Sequence, residues 1–204
     1  MKVLLLNGSP HEHGCTYTAL AEVEKALNAQ GVETEILWFG KGPTQDCVAC
    51  HGCRKTGKCV FDDDIVNVIL DKAAQCDGFV FGTPVYYAHP SGRVFSILDR
   101  VFYAGGRNFA HKPGAAVVSA RRGGTTASFD VMNKYFTISQ MPVVSSTYWN
   151  MVHGNSPEEV QQDAEGLQTM RNLGTNMAWL IRCIQTSGIP APEAEHAAFT
   201  NFIR

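Results

Sequence analysis

The chain has 204 residues, with 17 Lys and Arg against 19 Asp and Glu for a formal net charge of −2. With no basic excess and no basic stripe, nucleic acid is excluded as a partner class, because phosphate affinity is set mainly by neutralising cations. Hydrophobic residues at 45% and charged residues at 18% lie outside the range in which chains stay disordered, and the length suits one domain that needs no metal to hold its core. The apolar opening Val3-Leu4-Leu5-Leu6 stops at Asn7-Gly8-Ser9-Pro10, too short for an export signal. No apolar run reaches the ~20 residues that cross a bilayer. The expectation is a cytoplasmic protein with no membrane partner, in which thiols stay reduced. Seven cysteines, four of them between positions 47 and 59, then point to metal or redox work rather than disulfides.

The elements alternate. Residues 2–7 form a continuous apolar run and predict a strand buried on both faces. A helix is predicted over 16–30, with Leu20, Val23 and Leu27 on one face and Gly31 past its end. A strand is predicted over 33–39, a helix over 62–74 with acidic residues in its first turn, and a strand over 78–82. A helix over 91–103, a strand over 114–119, a helix over 126–138 and a short fifth strand over 142–146 follow. One long helix over 156–186 is opened by Ser156-Pro157-Glu158-Glu159, a cap with proline at the first helical position. Five strands alternating with helices predict a doubly wound α/β fold, a parallel five-stranded sheet covered on both faces. The domain is predicted to end at residue 187, leaving 188–204 as a tail that is either disordered or an arm in an oligomer.

In such sheets ligands sit beyond the carboxyl ends of the strands, where strand order reverses. The loop Gly8-Ser9-Pro10-His11-Glu12-His13-Gly14-Cys15-Thr16-Tyr17-Thr18 offers free helix-start N–H groups and the hydroxyls of Ser9, Thr16 and Thr18, a set of donors suited to one phosphate. It lacks the dinucleotide glycine fingerprint and the lysine of nucleotide-triphosphate loops. A plain strand-to-helix turn is the alternative. After the third strand, Thr83-Pro84-Val85-Tyr86-Tyr87 supplies rigid apolar walls for a flat ring. After the fourth, Ser119-Ala120-Arg121-Arg122-Gly123-Gly124 supplies glycines for close approach and two cations, for a flavin ring or the phosphates of a nicotinamide donor. Core aromatics and a solvated arginine pair are the competing readings.

The most specific signal is Cys47-x2-Cys50-x2-Cys53-x5-Cys59. Three cysteines at successive x2 steps let one loop wrap a compact centre and a fourth closes it, the pattern of a [4Fe–4S] cluster. Structural zinc sites usually pair two such steps across a longer spacer, so unligated thiols, zinc and a disulfide stand as alternatives. Cys15, Cys76 and Cys183 are dispersed and read as core residues.

Together, G-S-P after strand one, T-P-V-Y-Y after strand three, S-A-R-R-G-G after strand four and the four-cysteine loop resemble the flavodoxin-like NAD(P)H-dependent FMN reductases, in their iron–sulfur flavoprotein branch. The resemblance spans residues 1–146 and weakens beyond. It implies that Ser9, Pro10, Thr16 and Thr18 hold the FMN phosphate. It further implies that Pro84, Val85, Tyr86 and Tyr87 line the isoalloxazine, with Ser119, Arg121, Gly123 and Gly124 on its other side and NAD(P)H as a donor. It implies a cluster on Cys47, Cys50, Cys53 and Cys59 facing a flavin across a subunit interface, in a homodimer or homotetramer. Two positions depart from the family: His11 stands where a basic residue is common, and Cys15 where an asparagine is common. The function expected is FMN-dependent electron transfer between a reduced donor and a small-molecule or protein acceptor. The alternatives are an FMN or quinone reductase without a cluster and a non-catalytic zinc-stabilised module.

Overall fold

The computed structural model describes residues 1–198, Thr200 and Phe202. β1 (Lys2–Asn7) buries all but its first residue. α1 (Cys15–Ala29) turns Leu20, Val23 and Leu27 onto the sheet, and β2 (Glu33–Trp38) returns parallel to β1, with Lys2 opposite Glu33. A long irregular segment containing only α2 (Cys53–Thr56) leads to α3 (Val66–Ala73). Then come β3 (Gly78–Tyr86), β4 (His89–Pro90), α4 (Gly92–Gly105), β5 (Gly114–Ala120), α5 (Thr125–Ile138), β6 (Met151–His153), α6 (Pro157–Val160) and α7 (Ala164–Thr186). The strand order is β2-β1-β3-β5-β6, all parallel, with β4 added antiparallel to the end of β3. The order reverses between β1 and β3, so a crevice is expected above their carboxyl ends.

Strand periodicity divides the core in two. Val3 and Leu5 of β1, with Val80, Ala115 and Val117, pack under α1 and α7. Leu4 and Leu6, with Phe79, Phe81 and Ala116, pack under α3, α4 and α5. Each fully buried leucine contributes roughly 1.5–3 kcal/mol, and both faces are filled. This is the expected doubly wound sandwich. Gly174 lets α7 close on α1, since a Cβ there would stand 2.7 Å from Val23 O.

Five expectations change. β3 continues through Thr83–Tyr86, which the sequence reading assigns to a loop. The fifth parallel strand is Met151–His153, beside Val118–Ala120; of the predicted 142–146, only Val143 bridges Gly114. The polar run after Val144 is drawn off by α7, where Asn176 Nδ2 donates to Ser145 O at 2.8 Å and Ser146 Oγ to Thr169 O at 2.6 Å. The long last helix is two helices, because Asp163 acts as a second cap and accepts from Gly166 N at 2.9 Å. The acidic residues 62–64 stand before α3 rather than within it, with Asp64 Oδ1 accepting from Val66 N. Cys76 is buried as expected, Cys15 is half-buried, and Cys183 is exposed rather than packed. No helix among the described residues is long and apolar enough to cross a membrane. The tail after Gly188 carries no helix or strand among its described residues; residues 199, 201, 203 and 204 of that predicted arm lie outside them.

Candidate functional site

Two groups of predicted residues sit in different settings. The first is the end of the sheet above β1, β3 and β5. The loop after β1 is tied down at Gly8, whose N donates to Gly82 O at 3.0 Å and whose O accepts from Ser91 Oγ at 3.3 Å. Asn7, fully buried, shapes it by accepting from Ser9 N and donating to Glu12 O at 2.8 Å. Ser9 Oγ accepts from His11 N at 3.1 Å, and Trp38 Nε1 donates to Ser9 O. α1 starts after Gly14 with no side-chain cap, so its first N–H groups have no helical acceptor. The Thr16 and Thr18 hydroxyls both have partners inside the protein. Thr16 Oγ1 is bonded to Ser119 Oγ at 2.8 Å inside the protein, and Thr18 Oγ1 donates to Gly14 O. The donors left without a protein acceptor are therefore the first N–H groups of α1 and the hydroxyl of the buried Ser9.

Tyr87 and Ala88 form the two-residue turn between β3 and β4, both left-handed (φ 51° and 64°). That conformation matches the twist of a hairpin but strains residues with a Cβ. It leaves Tyr87 fully exposed and Tyr86 half-exposed, so neither ring is core. Gly124 (φ 92°) packs directly against this turn: a Cβ would stand 2.5 Å from Ala88 Cα and 2.8 Å from Val85 Cγ1. Pro84 and Val85 lie on β3 beneath the hairpin, opposite Ser119 and Pro90 respectively. Arg121 and Gly123 are exposed beside them. The structure thus brings the loops after β1, β3 and β5 to one end of the sheet.

The second group is the cysteine segment. It leaves β2 at that same end, but its cavity stands further along. Cys47, Cys50, Cys53 and Cys59 all line one cavity, closed by Arg100, Tyr103 and Ala104 from the second half of α4. The segment is pinned by one face of that helix. Arg93 donates to Thr44 Oγ1 and Lys41 O, Ser96 Oγ to Asp46, and Arg100 to Gln45 O; positions 93, 96 and 100 align at helical spacing. Among the described residues no three His, Cys, Asp or Glu side chains stand close enough together to hold an ion. The donor set nonetheless fits iron in kind, being four thiols around one cavity.

Residues 1–156 match the NADPH-dependent FMN reductase family. The chain belongs to that family. It is 32% identical over 193 residues to an iron–sulfur flavoprotein of Methanocaldococcus jannaschii, covering 91% of this chain and all of that protein. It is 29% identical over 191 residues to an iron–sulfur flavoprotein of Methanosarcina thermophila, covering 91% and 97%. The chain falls in the iron–sulfur flavoprotein branch of the FMN reductases. Its fold is that of a solved NAD(P)H:quinone oxidoreductase from Methanothermobacter marburgensis (TM-score 0.66, 15% identity, 87% and 96% covered). A solved archaeal flavodoxin is also similar (TM-score 0.61, 14% identity, 89% and 99% covered). It is an FMN-dependent oxidoreductase.

For this FMN reductase the sequence reading missed Asn7 and Trp38, which shape the loop after β1, and the pair Arg100 and Asp64 beneath the cysteines. Asn7 follows an apolar strand directly, and a polar residue closing a buried run was the available signal. Burial raises the Cys15 thiol above its usual range, so this cysteine beside the loop is neutral near pH 7. Burial opposes the Arg100 charge, but the hydrogen bonds to Asp64 and Cys59 outweigh it and hold the guanidinium protonated.

Proposed function

We propose that this chain passes electrons between a reduced donor, such as NAD(P)H, and a small-molecule or protein acceptor through FMN and a [4Fe–4S] cluster on Cys47, Cys50, Cys53 and Cys59. The observation that carries the reading is that all four cysteines of one compact motif line a single cavity in a chain of an FMN-dependent family. FMN, when bound, supplies exchange of electrons in pairs or singly, and a cluster supplies single-electron transfer. Pro10 turns the phosphate loop, the N–H groups of residues 15–17 and the Ser9 hydroxyl bind the FMN phosphate, and Thr16 and Thr18 keep that loop in shape. Pro84, Val85, Tyr86 and Tyr87 wall one side of the ring. Ser119, Gly123 and Gly124 bring backbone to the other side, and Arg121 sits beside it as the cation. The four thiols would hold the iron, and its binding would draw them together, as metal binding does with such ligands.

Position supports an oligomer. Arg100 lies eight residues beyond the start of α4 at Gly92, roughly 12 Å along the helix, so the cysteine cavity is offset from the flavin end of its own chain. A homodimer or homotetramer, in which the cluster of one copy meets the flavin of another, closes that offset. Anaerobic visible spectroscopy with iron, sulfide and zinc analysis tests the reading. Flavin absorption together with about four iron and four sulfide per chain is expected for a [4Fe–4S] site. Flavin alone makes it a reductase without a cluster, and zinc without flavin makes it a binding module.

A further inference from the structure

Beneath the cysteine cavity lies a buried charged group. The Arg100 side chain is 1% exposed, and arginine is seldom buried unless paired. A guanidinium has five N–H donors, and every one of them has an acceptor here. Nη1 and Nη2 reach the two carboxylate oxygens of Asp64, Nη1 also donates to Gln45 O at 3.1 Å, and Nη2 to Phe61 O at 3.3 Å. The fifth, Nε–H, donates to Cys59 Sγ at 3.2 Å, while the Phe61 ring covers the guanidinium at 5.3 Å.

Cys59 is also fixed through its backbone. Asn67 Oδ1 accepts from Cys59 N at 2.8 Å, and Asn67 Nδ2 donates to Cys59 O at 3.0 Å. The other thiols are held more loosely: Cys47 and Cys50 are exposed, and Cys53 Sγ meets Tyr103 O at 3.7 Å. The four cysteines are therefore not equivalent. One is clamped in main chain and side chain, and its clamp is a charge-assisted donor aimed at sulfur. Asp64 cancels the net charge of that donor and fixes its fork, so what reaches Cys59 is an oriented N–H rather than a free cation.

We propose that Arg100 is a positioning residue that presents Cys59 as the preformed ligand of the cluster and, through Nε–H on Sγ, raises the cluster's one-electron reduction potential. The proposal rests on the cluster assignment above. In the couple one electron enters and no bond at Arg100 forms or breaks; the guanidinium keeps its protons. Reduction adds negative charge to the ligand sulfurs, a donor on sulfur binds the more negative form better, and the reduced state is favoured.

The test uses the full chain, reconstituted anaerobically with ferrous iron and sulfide and titrated with EPR detection. Arg100→Lys keeps the charge and loses the Nε donor. The expected result is a cluster whose reduced-to-oxidised ratio at fixed potential falls about tenfold, or 59 mV for one electron, with the flavin potential unmoved. A cluster potential equal to that of the unsubstituted protein overturns the role of Arg100 and leaves the cluster assignment standing. A protein that takes up no iron and sulfide overturns both. Should Arg100→Lys not fold, pulsed EPR on 15N-arginine-labelled Arg54→Lys protein decides instead, since Arg54 is the other arginine lining this cavity. A coupled arginine nitrogen supports the proposal, and its absence overturns it.

Discussion

The end of the sheet proposed for the flavin and the cysteine cavity are built in different ways. At the end of the sheet proposed for the flavin, three loops leave the carboxyl ends of neighbouring parallel strands, so the strands set where they start, and contacts such as Gly8 N to Gly82 O and the Asn7 side chain hold them there. The cysteine segment, residues 39–65, has one four-residue helix and is held by side chains, Arg93, Ser96 and Arg100 from α4 and Asn67 from α3. A site made of strand ends comes with the topology. A site carried on an insertion must be assembled by particular side chains, and single substitutions are expected to damage it more.

The sharpest break of that comparison is Cys53→Ser. It is expected to abolish iron binding while FMN binding persists, because the two sites share no loop; full iron content in the variant would refute the ligand assignment. Next comes Arg100→Ala. Removing the partner of Asp64, whose side chain is 17% exposed, leaves a mostly buried carboxylate uncompensated and should cost about 3–5 kcal/mol in chemical denaturation. A loss below about 1 kcal/mol, the scale of an exposed ion pair, would mean that Arg100 does not pin the segment.

Smaller effects belong to the flavin end. Gly124→Ala forces a Cβ into the Ala88 turn at a left-handed position, and roughly 1–3 kcal/mol of stability should be lost. Weaker FMN binding and a lower Tm with iron content unchanged would separate the two sites; iron lost in parallel would merge them. Ser9→Ala leaves the His11 N–H without its acceptor and removes a hydroxyl from the loop. FMN titration should show a loss of about 1 kcal/mol, and unchanged affinity would move the phosphate elsewhere.

Residues near each other in the chain carried most of what could be read in advance. The continuous run of β1, the helical spacing of Leu20, Val23 and Leu27, the glycine-rich turn after β5 and the cysteine spacing are local patterns, each produced by one physical cause within a few residues. Edges were less legible. Val143 and Val144 read as a strand, but whether an edge segment pairs depends on what else can satisfy its backbone, and Asn176 and Ser146 settle that through α7. The orientation of Thr16 and Thr18 was hidden as well, because a hydroxyl in a loop reads as a free donor until its partner is known.

Periodicity and short spacing act locally, so the α/β layering, the family loops and the four-cysteine motif were legible in the chain alone. Packing of the layers is what brings Thr16 to Ser119, 103 residues away, and Arg100 to both Asp64 and Cys59, 36 and 41 residues away. Such pairs form because burying a polar or charged group without a partner is costly. Which distant group becomes the partner is a property of how the layers pack.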